Sequence, residues 1–583
     1  MAPTPPERSN CSKSCILWPC DGPLTGSAYF PKQSEIIVAA QVDLNAQSCS
    51  AEEGESLFAC AERLGVRVPT SCYMNGKCRE CLVEVVAGGE SLSPPTASEA
   101  HLRDGFRLAC QARVAAPDAT IRCRTLRRGT MRIEHSAATG FAGAGAASLD
   151  PAVTRVAKQV LLDGRPLTQA SGPLLGLAID VGTTTVVVRL VDLETGVIRA
   201  VQSFENPQRF AGSDVMARIR YDGENRGRLL QRTLLAYLGH AIEEFDCDPA
   251  AIYEAIVVGN TTMRDLVFGL DVQSVGQRPY RSLTEHELAE GRRTSTTLFA
   301  TGKDLRLPIH PQAHVVGLPI VGGHVGADAA ACLLAVGLLD EDRTVAVMDV
   351  GTNTELVVGN SRRLLAASCP AGPAFEGGAI ACGMPALDGA IESIRLSADG
   401  VPSLRTIGDA PPEGICGSGL IAALSELLRT ERIDRFGRFV NGDHRFVFDE
   451  ARNVYLAESD VSELAQAKGA NAAGLQIVLK RYGIGLAGLD RFYLAGGFAR
   501  HIDVDAARRI GLIPNMPDDR IVQIGNAAIE GATLALCSMS ARRRLEQCVA
   551  QIEHVELETD PDFFDRFVDG CQLAPLEQLT PAP

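Results

Sequence analysis

No stretch of about 18 apolar residues runs through this chain without a charge, so no membrane-spanning helix is expected. The N-terminus, MAPTPPERSNCSKSC, lacks a long apolar segment, which argues against a secretory signal. Positive charge is also in deficit. Lys and Arg number 56 against 71 Asp and Glu, a formal net charge of −15. That balance disfavours nucleic acid and anionic membrane as partners. The most basic run, residues 122–132 (RCRTLRRGTMR), reads as a solvated linker edge, with a docking patch for an acidic electron donor as the alternative. There is no GxxxxGK[ST] string, which excludes a P-loop. No short repeat period appears, which excludes a solenoid.

Cysteine is plentiful. Eighteen thiols without a signal argue against a disulfide framework and for reduced cysteines, some of them metal-bound. A cytoplasmic location is the expectation. A chain of 583 residues is too long for one core, so several domains are expected.

Residues 1–34, rich in Pro and Ser and carrying Cys11, Cys15 and Cys20, read as a tail without a core. Residues 35–125 read as a compact β-rich module: a strand (IIVAAQVDL), a helix (GESLFACAERLG) with Leu57, Ala61 and Leu64 on one face, a cysteine loop, and strands on either side of it. Residues 126–172 read as a small-residue linker followed by a short helical piece, VTRVAKQVLLDG. Residues 173–340 and 341–575 alternate strands and helices in two related halves, and 576–583 form a tail. The fold class is therefore multidomain: an α+β module, then a duplicated α/β unit.

The cysteine loop has the pattern C-x5-C-x2-C at Cys72, Cys78 and Cys81, with Cys110 as a distant fourth. Thiolates are soft ligands that suit iron–sulfur clusters and zinc. Plant-type [2Fe–2S] proteins space theirs x4 then x2 with a remote fourth cysteine. Structural zinc usually presents two paired ligand arms, and a lone Cys110 fits that poorly. A [2Fe–2S] cluster leads; zinc and unligated core thiols are the alternatives. Gly76 gives the loop backbone freedom. Cys60, Cys369, Cys382 and Cys416 read as packing residues.

The second signature is a repeated hexapeptide. DVGTTT at 180–185 recurs as DVGTNT at 349–354, each after an apolar run. Each reads as a strand entering a Gly/Thr turn, and two such turns look like the jaws of a phosphate clamp. Gly182 and Gly351 allow close backbone approach. Thr183, Thr184, Thr185, Thr352, Asn353 and Thr354 supply donors around phosphates. Asp180 and Asp349, at strand ends, can hold hydrated Mg²⁺ or a lytic water. Glu355 is a further general-base or Mg²⁺ candidate. Gly496 and Gly497, in LAGGFA after another strand, leave room for adenine and ribose; a plain strand–helix turn reads equally well.

Both signatures together resemble the reductive activators of corrinoid proteins. The resemblance rests on GFRLACQ, DVGTTTVVV, ENPQRFAGSDVMARI, GNTTM, DVGTNTELV, PAGPAFEGGAIACGM, ICGSGL, LAGGFA, and GLIP followed by GNAAIEGA, spread over residues 36 to about 545. It implies a β-grasp ferredoxin-like domain followed by a duplicated actin/Hsp70/sugar-kinase-like (ASKHA) domain. It implies [2Fe–2S], ATP and Mg²⁺ as cofactors. By the same resemblance, ATP binding lets the cluster deliver an electron to a corrinoid protein whose cobalt has slipped to Co(II), restoring Co(I) for a methyltransferase system. The electron would come from a reductase or ferredoxin, and a homodimer is an expectation by analogy. Ser368 is the hydroxyl that could reach cobalt, against a strand-end hydroxyl bonded to backbone. The loop CYMNGKCREC departs from glycine-richer relatives: Tyr73, Met74 and Glu80 add bulk, and Glu80 adds charge. The alternatives are an activator of another low-potential acceptor, a small-molecule kinase of the ASKHA class, or an actin-like assembly protein.

Overall fold

The computed structural model describes residues 39–578 except 46, 73, 127–148, 226 and 441. The N-terminal tail with Cys11, Cys15 and Cys20, most of the basic run, the glycine-rich part of the expected linker and the last residues lie outside the described residues.

The first module is a five-stranded sheet in the order Gln47–Ala51, Ala40–Leu44, Thr120–Thr125, Leu82–Ala87, Phe106–Leu108. Ala40–Leu44 runs parallel to Thr120–Thr125, with Val42 opposite Ile121, and the other pairings are antiparallel. Ala40, Val42 and Leu44 alternate inward, as a sheet with one buried face requires. Helix Leu57–Arg63 covers that face with Leu57, Phe58, Cys60 and Ala61. Its start is fixed by Ser56, whose hydroxyl accepts from the Ala59 N–H at 3.2 Å. This is the expected β-grasp arrangement, and the cysteine loop projects from one end of it.

The segment VTRVAKQVLLDG is not helical. It forms strands Val153–Val156 and Gln159–Leu162, joined by Arg165–Gln169 into a three-stranded antiparallel sheet. The reason lies in the turns. Ala157 and Asp163 both adopt positive φ, and Asp163-Gly164 is a two-residue hairpin signal that outweighs the apparent helical spacing. Val160 and Leu162 alternate onto the buried face. The expected linker thus contains a small folded sheet.

The two halves that follow share one plan. In the first, the order is Ile198–Glu205, Thr185–Asp192, Leu175–Val181, Ile252–Val258, His314–Gly317, Leu298–Thr301. In the second it is Arg363–Cys369, Thr354–Asn360, Val345–Asp349, Arg491–Ala495, Ile521–Gly525, with Glu553–His554 on the outer edge beside Arg363–Cys369. Each half has an antiparallel meander whose first strand continues into parallel neighbours. Strands Leu175–Val181 and Ile252–Val258 are buried at every position, so they read as continuous apolar runs. Glu254, in the second of these strands, is fully buried and paired at 2.8 Å with Arg542.

Between the halves, helix Ala327–Ala335 crosses helix Ala527–Cys537. A Cβ added to Gly531 would lie 1.9 Å from the Ala331 carbonyl oxygen, so the helices touch backbone to backbone. Their N-termini face the same cleft. Among the described residues no helix is long and apolar enough to cross a membrane.

Candidate nucleotide cleft and cysteine site

Each repeated hexapeptide forms the same local structure: a buried strand carries an aspartate at or next to its last position, and a tight turn follows. In the first, the Gly182 N–H donates to the Thr185 carbonyl at 2.9 Å. A Cβ on Gly182 would stand 2.6 Å from that oxygen, so the turn requires glycine. In the second, Asp349 ends strand Val345–Asp349 and Gly351 opens the turn. The turns face each other across a cavity of about 150 Å³. Asp180, Gly182, Thr183, Thr184, Thr185, Asp349, Gly351, Thr352, Asn353 and Glu355 all line it. Gly496 and Gly497 line it too, beside Phe498. Gly496 has φ +124°, and a Cβ there would meet the Val350 carbonyl at 2.4 Å, so the Gly-Gly turn seals three strand ends together.

One expectation is corrected. Thr354 is fully buried and lines no part of the cavity; its hydroxyl finds no partner among the described residues. The strand alternation that carries Glu355 to the cleft points Thr354 away from it. Ser368, offered as a hydroxyl for cobalt, sits opposite Glu355 in the sheet, and its hydroxyl donates to the Glu355 carboxylate at 3.4 Å.

Sequence reasoning missed four residues here. Asp328, at the start of helix Ala327–Ala335, lines the cavity. Glu376 bridges the two turns. Asn260 and Asn526 each divide their amide. The oxygen of Asn260 caps helix Thr261–Val267, and its nitrogen donates to the Thr183 hydroxyl at 2.9 Å. The oxygen of Asn526 caps helix Ala527–Cys537, and its nitrogen donates to Asp180 at 2.8 Å. The available signal was Gly-Asn at a strand end opening a helical run, a helix-cap pattern.

The cleft is crowded with acid. Burial, and then the Asp349 charge, push Asp180 up to about 7 against the pull of Asn526. Burial also raises Asp349 to about 6, although the Cys332 thiol donates to it at 3.3 Å. Burial and the charges of Asp180 and Asp349 raise Asp328. Burial, with Asp328 and Asp349 nearby, holds Glu355 far above the carboxylate range. Like charges withdrawn from water resist joint ionisation, and a divalent cation would relieve them.

The cysteine site lies on the other module. Met74 and Arg79 have positive φ, as does Gly76, and they curl the loop around its thiols. Cys72, Cys78, Cys81 and Cys110 are all free. They fall into two pairs. Cys81 Sγ lies 3.3 Å from Cys110 Sγ, and Cys72 is hydrogen-bonded to Cys78. The hydrogen bond from Cys81 lowers Cys110 to about 6 and raises Cys81 in turn. Burial works against ionisation of Cys72, but backbone hydrogen bonds at Cys78, Asn75 and Lys77 outweigh it. Gln111 Nε2 donates to Cys110 Sγ at 3.3 Å. Among the described residues no three ligands converge on a single ion position. Two facing thiol pairs fit a two-iron cluster, which takes two thiolates on each iron, better than they fit one zinc. Cys60, Cys369 and Cys416 are buried, while Cys382 is only half-buried.

The loop also touches the first lobe. Glu80 is turned inward: its carboxylate accepts from Ser71 Oγ at 2.6 Å and lies 3.8 Å from His240 Nε2. Its backbone carbonyl accepts from Tyr237 Oη at 3.1 Å. Tyr237 and His240 belong to helix Leu229–Glu243. Arg67 pairs with Glu244 at 2.7 Å, and Arg209 with Glu84 at 3.5 Å. The Glu80 charge therefore faces the lobe, and Met74 is an exposed large side chain of the loop.

This geometry agrees with what the chain is similar to. Three protein-family models match it: a 2Fe-2S iron-sulfur cluster binding domain over residues 41–115, the RACo middle region over 175–341, and the C-terminal domain of RACo, the ASKHA domain, over 343–582. The corrinoid activation enzyme RamQ of Eubacterium limosum is 31% identical over 438 residues, covering 70% of this chain and 72% of the relative. The [Co(II) methylated amine-specific corrinoid protein] reductase of Methanosarcina barkeri is 24% identical over 428 residues, covering 69% and 77%. A solved structure of a reductive activator for corrinoid, iron-sulfur protein superposes with a TM-score of 0.68 at 26% identity, covering 93% of this chain and all of that one. With an iron–sulfur module and a duplicated nucleotide-type fold joined in this order, the chain belongs to the family of reductive activators of corrinoid proteins.

Proposed function

We propose that this chain is an ATP-dependent activator that passes one electron to the Co(II) form of a corrinoid protein and so restores Co(I) for methyl transfer, in the cytoplasm. The observation that carries the reading is the contact of the cysteine loop with the nucleotide lobe: the Glu80 carbonyl rests on Tyr237 and its carboxylate faces His240. A redox module seated on the lobe that would bind nucleotide can be moved by it.

Cys72, Cys78, Cys81 and Cys110 would hold a [2Fe–2S] cluster, which supplies electrons one at a time. The remaining work falls to side chains of the cleft. Thr183, Thr184 and Thr352 would offer hydroxyls to phosphate oxygens once nucleotide is bound. Asp180, Asp328 and Asp349 offer carboxylates to Mg²⁺, whose charge offsets their mutual repulsion. Gly496 and Gly497 leave a flat wall for the nucleoside.

Nucleotide is needed because the electron goes uphill. Plant-type centres lie near about −400 mV. For one electron roughly 59 mV is a tenfold change in equilibrium constant, and Co(II) in a corrinoid is harder to reduce still. Binding energy can favour Co(I) only if the nucleotide-bound state holds the partner differently from the free state.

The test is anaerobic. Reduced protein is mixed with a Co(II) corrinoid protein with and without Mg-ATP, and the Co(I) absorption band is followed. The band should grow only with nucleotide. Equal growth without it refutes the ATP coupling, and stoichiometric phosphorylation of a small molecule favours a kinase.

A further inference from the structure

Glu376 stands between the two phosphate-type turns. Its Oε2 accepts from the Thr184 hydroxyl at 3.0 Å and from the Thr352 hydroxyl, and those two oxygens lie 3.2 Å apart. Thr184 belongs to the first half of the chain, while Thr352 and Glu376 belong to the second. A hydroxyl has one proton to donate. Both hydroxyls are therefore taken up within this triad, and neither proton is left for a phosphate oxygen.

The surroundings of that carboxylate suit a phosphate. Arg218 lies fully buried behind the first turn, where its guanidinium donates to the Thr183 carbonyl at 2.5 Å and to the Gly212 carbonyl at 3.0 Å. Burial raises the Glu376 carboxyl, while the Thr352 and Thr184 hydroxyls and then the Arg218 charge pull it back. Two hydroxyls and a buried cation thus surround an acidic group from the protein itself. A polyphosphate oxygen cannot share the position that the Glu376 oxygen fills.

Glu376 also opens a loop that closes on itself and whose return limb pairs with Ile415, the Met384 N–H donating to the Ile415 carbonyl at 3.0 Å. Gly377 follows it at φ +83°, and a Cβ there would lie 2.7 Å from the Met384 nitrogen. A Cβ on Gly383 would lie 2.2 Å from the Gly377 carbonyl. The neck of the loop is therefore closed by backbone contact. Its far side is tied to the second lobe, where the Ala381 N–H donates to Asp460 at 3.0 Å. Beside the neck is a groove of about 130 Å³ whose wall combines Glu376 and Met384 with Glu84 and Arg124 of the first module.

We infer that Glu376 is a latch displaced by phosphate. In the nucleotide-free chain it joins Thr184 to Thr352 and occupies the phosphate position; nucleotide takes over both hydroxyls and frees the 377–384 loop toward the groove at the first module. The inference rests on the ATP reading proposed above.

The experiment is calorimetric titration of Mg-ATP into the anaerobic, cluster-loaded full chain. Glu376→Ala should bind about tenfold more tightly than wild type, the equivalent of about 1.4 kcal/mol. Glu376→Gln, which keeps the shape without the charge, should shift in the same direction by less. A residue that merely supports the fold, or that holds Mg²⁺, gives weaker binding on substitution. Wild-type chain that binds Mg-ATP while both variants bind it equally or more weakly overturns the latch and leaves the ATP reading standing. Wild-type chain that binds no Mg-ATP overturns the ATP reading, and the latch with it. Wild-type hydrogen exchange needs no variant: amides of 377–384 should exchange faster with Mg-ATP, and unchanged or slower exchange overturns the latch.

Discussion

Tyr237 donates its phenol hydroxyl to the backbone carbonyl of Glu80 at 3.1 Å, so one helix of the nucleotide lobe grips the loop between Cys78 and Cys81. The phenol is fully buried, and a buried hydroxyl that loses its acceptor is costly. The contact fixes loop and helix in one register, and any shift of helix Leu229–Glu243 is felt beside the thiols.

Tyr237→Phe removes this donor while keeping the ring. The chain should lose about 1 kcal/mol of stability in a thermal or denaturant transition, and the amides of 79–82 should exchange faster. Unaltered exchange there would mean that the module is not held in this way in solution.

Cys78→Ala should abolish the visible absorption of the reconstituted chain and its corrinoid reduction. Mg-ATP binding should stay near that of the wild type, because no cleft residue is touched. A full absorption spectrum in this variant would exclude Cys78 as a ligand.

The cleft was legible where chemistry repeats. DVGTTT and DVGTNT marked both turns because each needs glycine and hydroxyls directly after a buried strand. The cysteine spacing marked the other site for the same reason. Glu376 and Asp328 were not legible. Each reaches the cleft from a different connection, and an acid in a Gly-rich loop or at a helix start is ordinary in sequence. Thr354 shows the opposite error: inside the motif, strand alternation turned its side chain to the core. The segment after residue 150 was misjudged because apolar spacing over a dozen residues fits a short helix as well as a hairpin, and the positive φ at Ala157 has no composition signal.

Acidity in the cleft gives a pH dependence with a definite sign. Burial, followed by Asp349, raises Asp180 from 3.8 to about 7. Between these values the folded chain keeps a proton that the unfolded chain has released. Stability is therefore fully present below about pH 4 and falls as pH rises, by up to about 1.4 kcal/mol per pH unit for that group. Asp349, raised to about 6, acts in the same sense over a narrower window. The Tm of nucleotide-free protein should fall from about pH 5 to about pH 7, and Asp180→Asn should flatten the slope. A slope unchanged in that variant would remove Asp180 as its source.

Arg542 holds the buried Glu254 from 288 residues away at 2.8 Å. Removing one partner leaves a charge without compensation. Arg542→Leu should cost about 3–5 kcal/mol in a denaturant transition, and adding Glu254→Leu should recover much of the loss. A single variant as stable as the double would show that the pair is not coupled.

The contact of Gly531 with the Ala331 carbonyl sets how near helix Ala527–Cys537 can lie to helix Ala327–Ala335. Any larger residue at 531 would drive the two apart, and Asp328 and Asn526, at their leading ends, would separate with them. The width of the acidic end of the cleft is thus tuned by a missing methyl group.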